Sequence, residues 1–292
     1  MTVEGRGWWK CTGVFEGFEQ DQVDLDEASI FVRHGGDGPP VVLLHGHPRT
    51  SATWHQVAPR LVRRGFTVIC PDLRGYGQSR APEPAADHTA HSKRPTARDV
   101  VAVARALGHR RFALAGHDRG GYVALRLALD RPEAVSRLAL LDCIPISEHL
   151  SRITADFATK WWHWFFFAQP ETPERVINAD PQAWYRASPE AMGRENYDEL
   201  QRAVRNPRVV RAMLEDYRAA SLSTGGMRRR TEPPGGGYSL RCWCSGRSGT
   251  IWKTSTATRS RYGAPGLTMS AATASIPGTI WPRMLQKHSP YH

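Results

Sequence analysis

The chain has 292 residues, 40% of them apolar and 23% charged, enough for one large domain or two modest ones and too balanced for a fibrous or wholly disordered chain. No run approaches about 20 consecutive apolar residues, which excludes a helical membrane span, and the Met1–Arg6 start lacks the apolar stretch of a secretory signal. The formal charge of +11, taken alone, points to nucleic acid or an anionic surface.

Ser29–Arg33 alternates like a strand. Val41–Leu44, Thr67–Cys70, Phe112–Ala115 and Leu138–Leu141 are short apolar runs suited to buried strands. Helical patterns lie between them, over about 51–64, 92–107 and 120–130. Strands alternating with helices predict a mostly parallel sheet covered on both faces, with reactive groups beyond the carboxyl ends of the strands. After Pro145 the strand signal stops, and about 148–221 reads as helices rich in aromatics at Trp161–Phe167.

The charge resolves by position. Residues 1–224 hold 29 Lys+Arg and 27 Asp+Glu, whereas residues 225–292 hold 10 Lys+Arg and a single acid, Glu232. The body is therefore near neutral at +2, and the tail carries +9. The tail contains Arg228–Arg230, Gly235–Gly237 and scattered Trp243, Trp252 and Trp281, with no sustained period. It reads as a basic solvated extension, as a nucleic-acid-binding arm with stacking aromatics, or in a third way given below. Five cysteines, at 11, 70, 143, 242 and 244, form no paired framework, so a reducing, cytoplasmic setting is expected. Cys242 and Cys244 lack a second pair and there is no phosphate-cradling glycine loop, so neither metal nor organic cofactor is expected.

Three strand-following loops carry the chemistry. They are Leu44-His-Gly-His-Pro48, Pro71-Asp-Leu-Arg-Gly-Tyr-Gly77 and Gly116-His-Asp-Arg-Gly-Gly121. The last has the small-x-nucleophile-x-small spacing of a nucleophile elbow, a strained strand-to-helix turn that projects its central side chain. That residue is Asp118. A carboxylate there can displace a leaving group at saturated carbon, and water then cleaves the resulting ester. Asp is also a favoured helix N-cap, and the loop alone leaves both roles open.

With Ser92–Asp99, Leu141–Pro145 and His163-Trp164 added, residues 15–222 resemble an α/β-hydrolase of the haloacetate (fluoroacetate) dehalogenase group, close to epoxide hydrolases. The resemblance implies an α/β-hydrolase core over 15–145 and a helical cap over 146–222. It makes Asp118 the nucleophile and Asp142 the residue that orients a catalytic His. Arg119 would grip a substrate carboxylate, as guanidinium geometry suits. His163 and Trp164 would donate N–H groups to the leaving halide, with Tyr217 a further donor. The backbone N–H groups of His47 and Arg119 would form the oxyanion hole. Tyr122 stands where the family often carries a second Arg, which leaves room for a larger or uncharged substrate. The partner expected is a small molecule rather than nucleic acid or membrane, with room for a homodimer. Tyr185 and Tyr217 could instead protonate an epoxide. A third class is a dead hydrolase core with a basic binding tail.

The family's catalytic His, in a Gly-His-(Tyr/Phe)-Leu context, is missing from residues 225–292, and the neighbours of His288 do not match. Read one codon register over, Arg241–Gly246 permits Val-Leu-Val-Leu-Trp, a buried-strand pattern. In the same register Pro277–Lys287 permits Gly-His-Tyr-Leu-Ala-Glu-Asp-Ala-Pro-Glu. Two windows in one register predict a frameshift near 221–227. The written tail would then supply no apolar strands, and one sheet edge would be left unpaired.

Overall fold

The computed structural model describes residues 15–151, 153–222, 242–245 and 251–254, the last two segments and residues 221–222 as backbone only. The chain runs β1 (Glu19–Asp24), β2 (Ser29–Gly35), β3 (Pro40–Leu44), α1 (Ala58–Val62), β4 (Thr67–Pro71), α2 (Lys93–Ala106), β5 (Phe112–His117), α3 (Arg119–Asp130) and β6 (Val135–Leu141). A helical segment follows: α4 (Ile146–Ser151), α5 (Ala155–Lys160), α6 (Trp162–Phe167), α7 (Thr172–Ala179), α8 (Pro181–Trp184), α9 (Pro189–Met192), α10 (Arg194–Val204) and α11 (Pro207–Leu222). Then come β7 (Cys242–Ser245) and β8 (Ile251–Thr254).

The sheet order is β1-β2-β4-β3-β5-β6-β7-β8. β2 runs antiparallel to β1 and β4, while β4, β3, β5, β6 and β7 run parallel. Strand alternation sends Val42, Leu44, Ile69 and Leu114 to one face and Leu43, Val68, Cys70 and Ala115 to the other. Both faces are covered, which is why these strands read as continuous apolar runs rather than as alternation. Fully burying a side chain such as Leu43 or Leu44 contributes about 1.5–3 kcal/mol.

Two elements depart from the sequence reading. The expected helix over 51–64 is a 3-10 turn at Ser51–Trp54 followed by short α1. Pro59 opens α1 and cannot donate an N–H to a preceding helix, so the segment breaks there. β1 was not expected, because only Val23 of its six residues is buried; it is a polar edge strand held by backbone pairing to β2.

The expectation of an unpaired edge beyond β6 is corrected. β7 pairs parallel to β6, with Leu138 opposite Cys242 and Leu141 opposite Ser245, and β8 adds antiparallel to β7. Strand pairing needs an extended backbone and residues that tolerate it, and Cys-Trp-Cys-Ser and Ile-Trp-Lys-Thr do. β7 lies inside the window whose alternative register permits an apolar strand. The rest of the 225–292 expectation, His288 included, lies outside the described residues.

The helical segment docks on the carboxyl side of the sheet through charge as well as packing. Glu199 of α10 is paired with Arg33 of β2 and accepts from Thr50 Oγ1 at 2.7 Å. Among the described residues no helix is long and apolar enough to cross a membrane.

Candidate active site

Asp118 sits between β5 and α3 with φ 51° and ψ −117°. A non-glycine residue held there stores about 1–3 kcal/mol of strain. Small neighbours make the turn possible. A Cβ at Gly120 would lie 2.3 Å from the carbonyl oxygen of His45 and 2.6 Å from that of Leu44, and one at Gly116 2.3 Å from the oxygen of Gly120. These obstacles are backbone and cannot swing away. Gly120→Ala is therefore expected to cost about 3 kcal/mol or more by overpacking, read as a fall in Tm. An unchanged melt would refute this close approach of β3 and α3.

The N-cap reading of Asp118 does not hold, since its side chain makes no capping hydrogen bond to α3. Instead Oδ1 accepts the backbone N–H of His47 at 2.8 Å. Gly46 permits this approach: a Cβ there would lie 2.5 Å from Oδ1. Among the described residues no other donor meets the carboxylate, so Oδ2 is left without a hydrogen bond. The N–H of Arg119, at the start of α3, is one of the donors a helix leaves unsatisfied at its N-terminus.

His45 and His47 are structural within this loop. His45 Nδ1–H donates to Gly46 O at 2.9 Å and Nε2 accepts from the N–H of Leu73 at 2.9 Å, which fixes a neutral tautomer. Burial lowers its pKa. His47 is pushed well below the usual histidine range by burial, then by Arg119 and His163, and its Nε2 shares a hydrogen bond with Tyr185 Oη at 3.1 Å.

His163, Trp164 and Tyr217 are gathered around the same point. His163 is 3% exposed, and its pKa falls to about 4: burial is the main cause, Asp118 opposes it and Arg119 adds to it. At neutral pH it is an uncharged imidazole that can offer an N–H. Trp164 packs edge-on against Tyr122 at 6.2 Å and Tyr217 at 6.5 Å between ring centroids. The Tyr217 ring lies 5.2 Å from that of His47. Buried aromatic rings thus cluster beside the half-buried Asp118, and burial of this kind strengthens electrostatic contacts.

Arg119 is 1% exposed, and the guanidinium carbon lies 4.0 Å from the Tyr217 ring centroid. Its Nε donates to Asp216 Oδ2 and its Nη2 to the Asp216 carbonyl, each at 2.7 Å. Asp216 also pairs with Lys93 and accepts from Tyr76 Oη at 3.2 Å. Burial alone would raise the Asp216 pKa, but Arg119 and Lys93 hold it well below the usual carboxylate range. Burial and then Arg119 push Lys93 down to about 8. Sequence reasoning missed Asp216, Lys93 and Tyr76. The available signal was an acid in the middle of a helix, next to an aromatic already under suspicion.

Asp142 is placed differently. His117 pairs with Leu141, so Asp118 and Asp142 leave adjacent strands at one level. Asp142 has φ 50°, a second strained backbone at a strand end, but its side chain is exposed. Among the described residues no histidine bonds to it.

Among the described residues the cluster with metal-ligand chemistry is Glu19, Asp21 and His34, at the β1–β2 edge away from Asp118. There His34 Nε2 meets Asp21 Oδ2 at 2.7 Å, a hydrogen bond that needs no metal. A surface cavity of about 660 Å³ lined by His88, Glu174, Arg211 and Arg218 contains none of the candidate catalytic residues.

Comparison with known proteins agrees with this architecture. Residues 39–224 match the family model of the alpha/beta hydrolase fold. The chain is 39% identical over 235 residues to a fluoroacetate dehalogenase of a Burkholderia species, covering 76% of this chain and 77% of that one. It is 44% identical over 110 residues to a soluble epoxide hydrolase of Corynebacterium sp. (strain C12), covering 38% of this chain and 36% of that one. A solved structure from Pseudomonas aeruginosa, described as an epoxide hydrolase, superposes with a TM-score of 0.68 at 36% identity, covering 80% of each chain.

Proposed function

Because the chain belongs to the α/β-hydrolase family, in the group of fluoroacetate dehalogenases and epoxide hydrolases, we propose that it is a hydrolase that displaces halide from a small haloacid through an Asp118 ester. The observation that carries the reading is the strained Asp118 carboxylate, held by one oxygen on the His47 N–H and faced by the buried His163 and Arg119.

The first step forms a bond from Asp118 Oδ2 to the substrate's saturated carbon as the carbon–halogen bond breaks. The halide leaves with the bonding pair, and the N–H groups of His163 and Trp164, with Tyr217, stabilise it. A substrate carboxylate would lie toward Arg119. In the second step water adds to the ester carbonyl, whose oxygen is the former Oδ1. The His47 N–H already bonded to that oxygen, with the Arg119 N–H, would carry the developing charge. That step needs a base oriented by Asp142, and the family histidine motif is absent from the tail. We infer that the frame slips near residues 221–227, and that the written chain forms the ester and stalls.

The helical segment acts in this reading as the cap that closes the pocket, with the hydrolase core over 15–145. Epoxide opening remains the second reading, favoured by the buried Tyr185 and Tyr217 rings packed about His47. Incubating the protein with chloroacetate or fluoroacetate and mapping the adduct by peptide mass tests the choice. An adduct on Asp118 with one equivalent of halide is expected. An adduct from a small epoxide, with no halide from any haloacid, would favour the second reading and overturn the first.

A further inference from the structure

The Nε–Nη2 edge of Arg119 is closed to a substrate carboxylate. Its Nε edge faces Asp216 Oδ2, and its Nη2 donates to the Asp216 main-chain oxygen. One face of the guanidinium is covered by the Tyr217 ring at 4.0 Å, and Tyr122 lies at 5.7 Å. What remains is the far edge: Nη1, which is buried and has no acceptor among the described residues, and the second N–H of Nη2. The nearby charges also cancel: Arg119 and Lys93 are matched by Asp216 and Asp118. Lys93 approaches the Tyr122 ring at 6.0 Å, so the position of the family's absent second Arg has a cation beside it, but that cation is paired to Asp216.

We propose that Asp216 is the specificity-determining positioning residue of this site. It occupies the Nε–Nη2 edge of Arg119 and the Lys93 ammonium, so that an acid substrate meets only the far edge of a guanidinium already neutralised, in a charge-balanced pocket. The proposal rests on the hydrolase reading for its substrate and adds what sets the preference between anionic and neutral small molecules. A fork on an uncompensated cation supplies both charge and geometry, and a fork on a guanidinium already paired to Asp216 supplies much less charge. The pocket should then separate a carboxylate from its amide only weakly. Burial sharpens the effect, because a neighbouring like charge counts for more where water is excluded.

Binding of acetate and acetamide, measured by calorimetry, tests this without turnover. In the wild-type protein the two affinities should lie within about tenfold. Asp216→Asn keeps an oxygen for Arg119 Nε and leaves the main-chain bond untouched, but removes the opposing charge. It should raise the acetate-to-acetamide ratio about tenfold or more. Lys93→Met removes a cation while Asp216 stays, and should lower the ratio by a similar factor. Opposite shifts support the proposal. An unchanged ratio in the folded variants, shifts of one sign, or failure of the wild type to bind either probe overturns it. If Asp216→Asn does not fold, the Lys93→Met shift decides. A purely structural role would weaken both probes together and leave the ratio fixed. Failure of the hydrolase reading would appear separately, as absence of an Asp118 adduct.

Discussion

Asp118→Asn should reduce halide release from haloacids by about 10⁴-fold or more and eliminate the covalent adduct, with little change in Tm. The amide lacks the charge that makes Oδ2 a nucleophile. The fold should survive for two local reasons. Asn tolerates φ near +50° better than most residues. Its carbonyl oxygen can still accept the His47 N–H that now meets Oδ1 at 2.8 Å. Separating activity from stability matters here, because a strained elbow packed against β3 could lose both through simple misfolding. Intact mass and halide assay of a variant that melts like the parent check the result. Halide release within tenfold of the parent would remove Asp118 from the mechanism, and with it the ester.

The second large effect concerns the tail. The written chain should release at most one equivalent of halide per protein and retain the ester on Asp118. A chain restored to the alternative register from about residue 224 should turn over repeatedly. General-base catalysis of this kind contributes about 10²–10⁴-fold, so the contrast should be plain in a burst experiment. His45, His47 and His163 do not fill the role. His45 is locked as a neutral tautomer by two bonds, and the Nε2 of His47 is engaged with Tyr185. Burial pushes His163 down to about 4, so it is a poor proton acceptor at neutral pH. Rapid multiple turnover by the written chain would overturn the proposal, as would a nucleotide sequence that keeps the written frame with peptides confirming the tail.

The elbow was legible because its signal is local. Glycines at 116, 120 and 121 and the apolar run of β5 lie within ten residues, and each has a steric reason to be small. The central strands were legible because burial on both faces demands apolar residues at every position. β1 was not, since its backbone pairing leaves the side chains mostly in solvent. The tail strands were not, since backbone pairing asks little of side-chain type.

Position along the chain alone also located the charge: +9 of the +11 belongs to residues 225–292, and the body is near neutral. Sequence therefore determined the sheet, the elbow, Asp118 as its central residue and the place where the family pattern ends. Only the tertiary structure decided what Arg119 is free to do. Its partner Asp216 is 97 residues away on α11, and Tyr76, which bonds to the same carboxylate, is 140 residues from it. Contacts across such separations are set by how the helical segment packs over the strand ends. No periodicity or motif spacing encodes them one residue at a time.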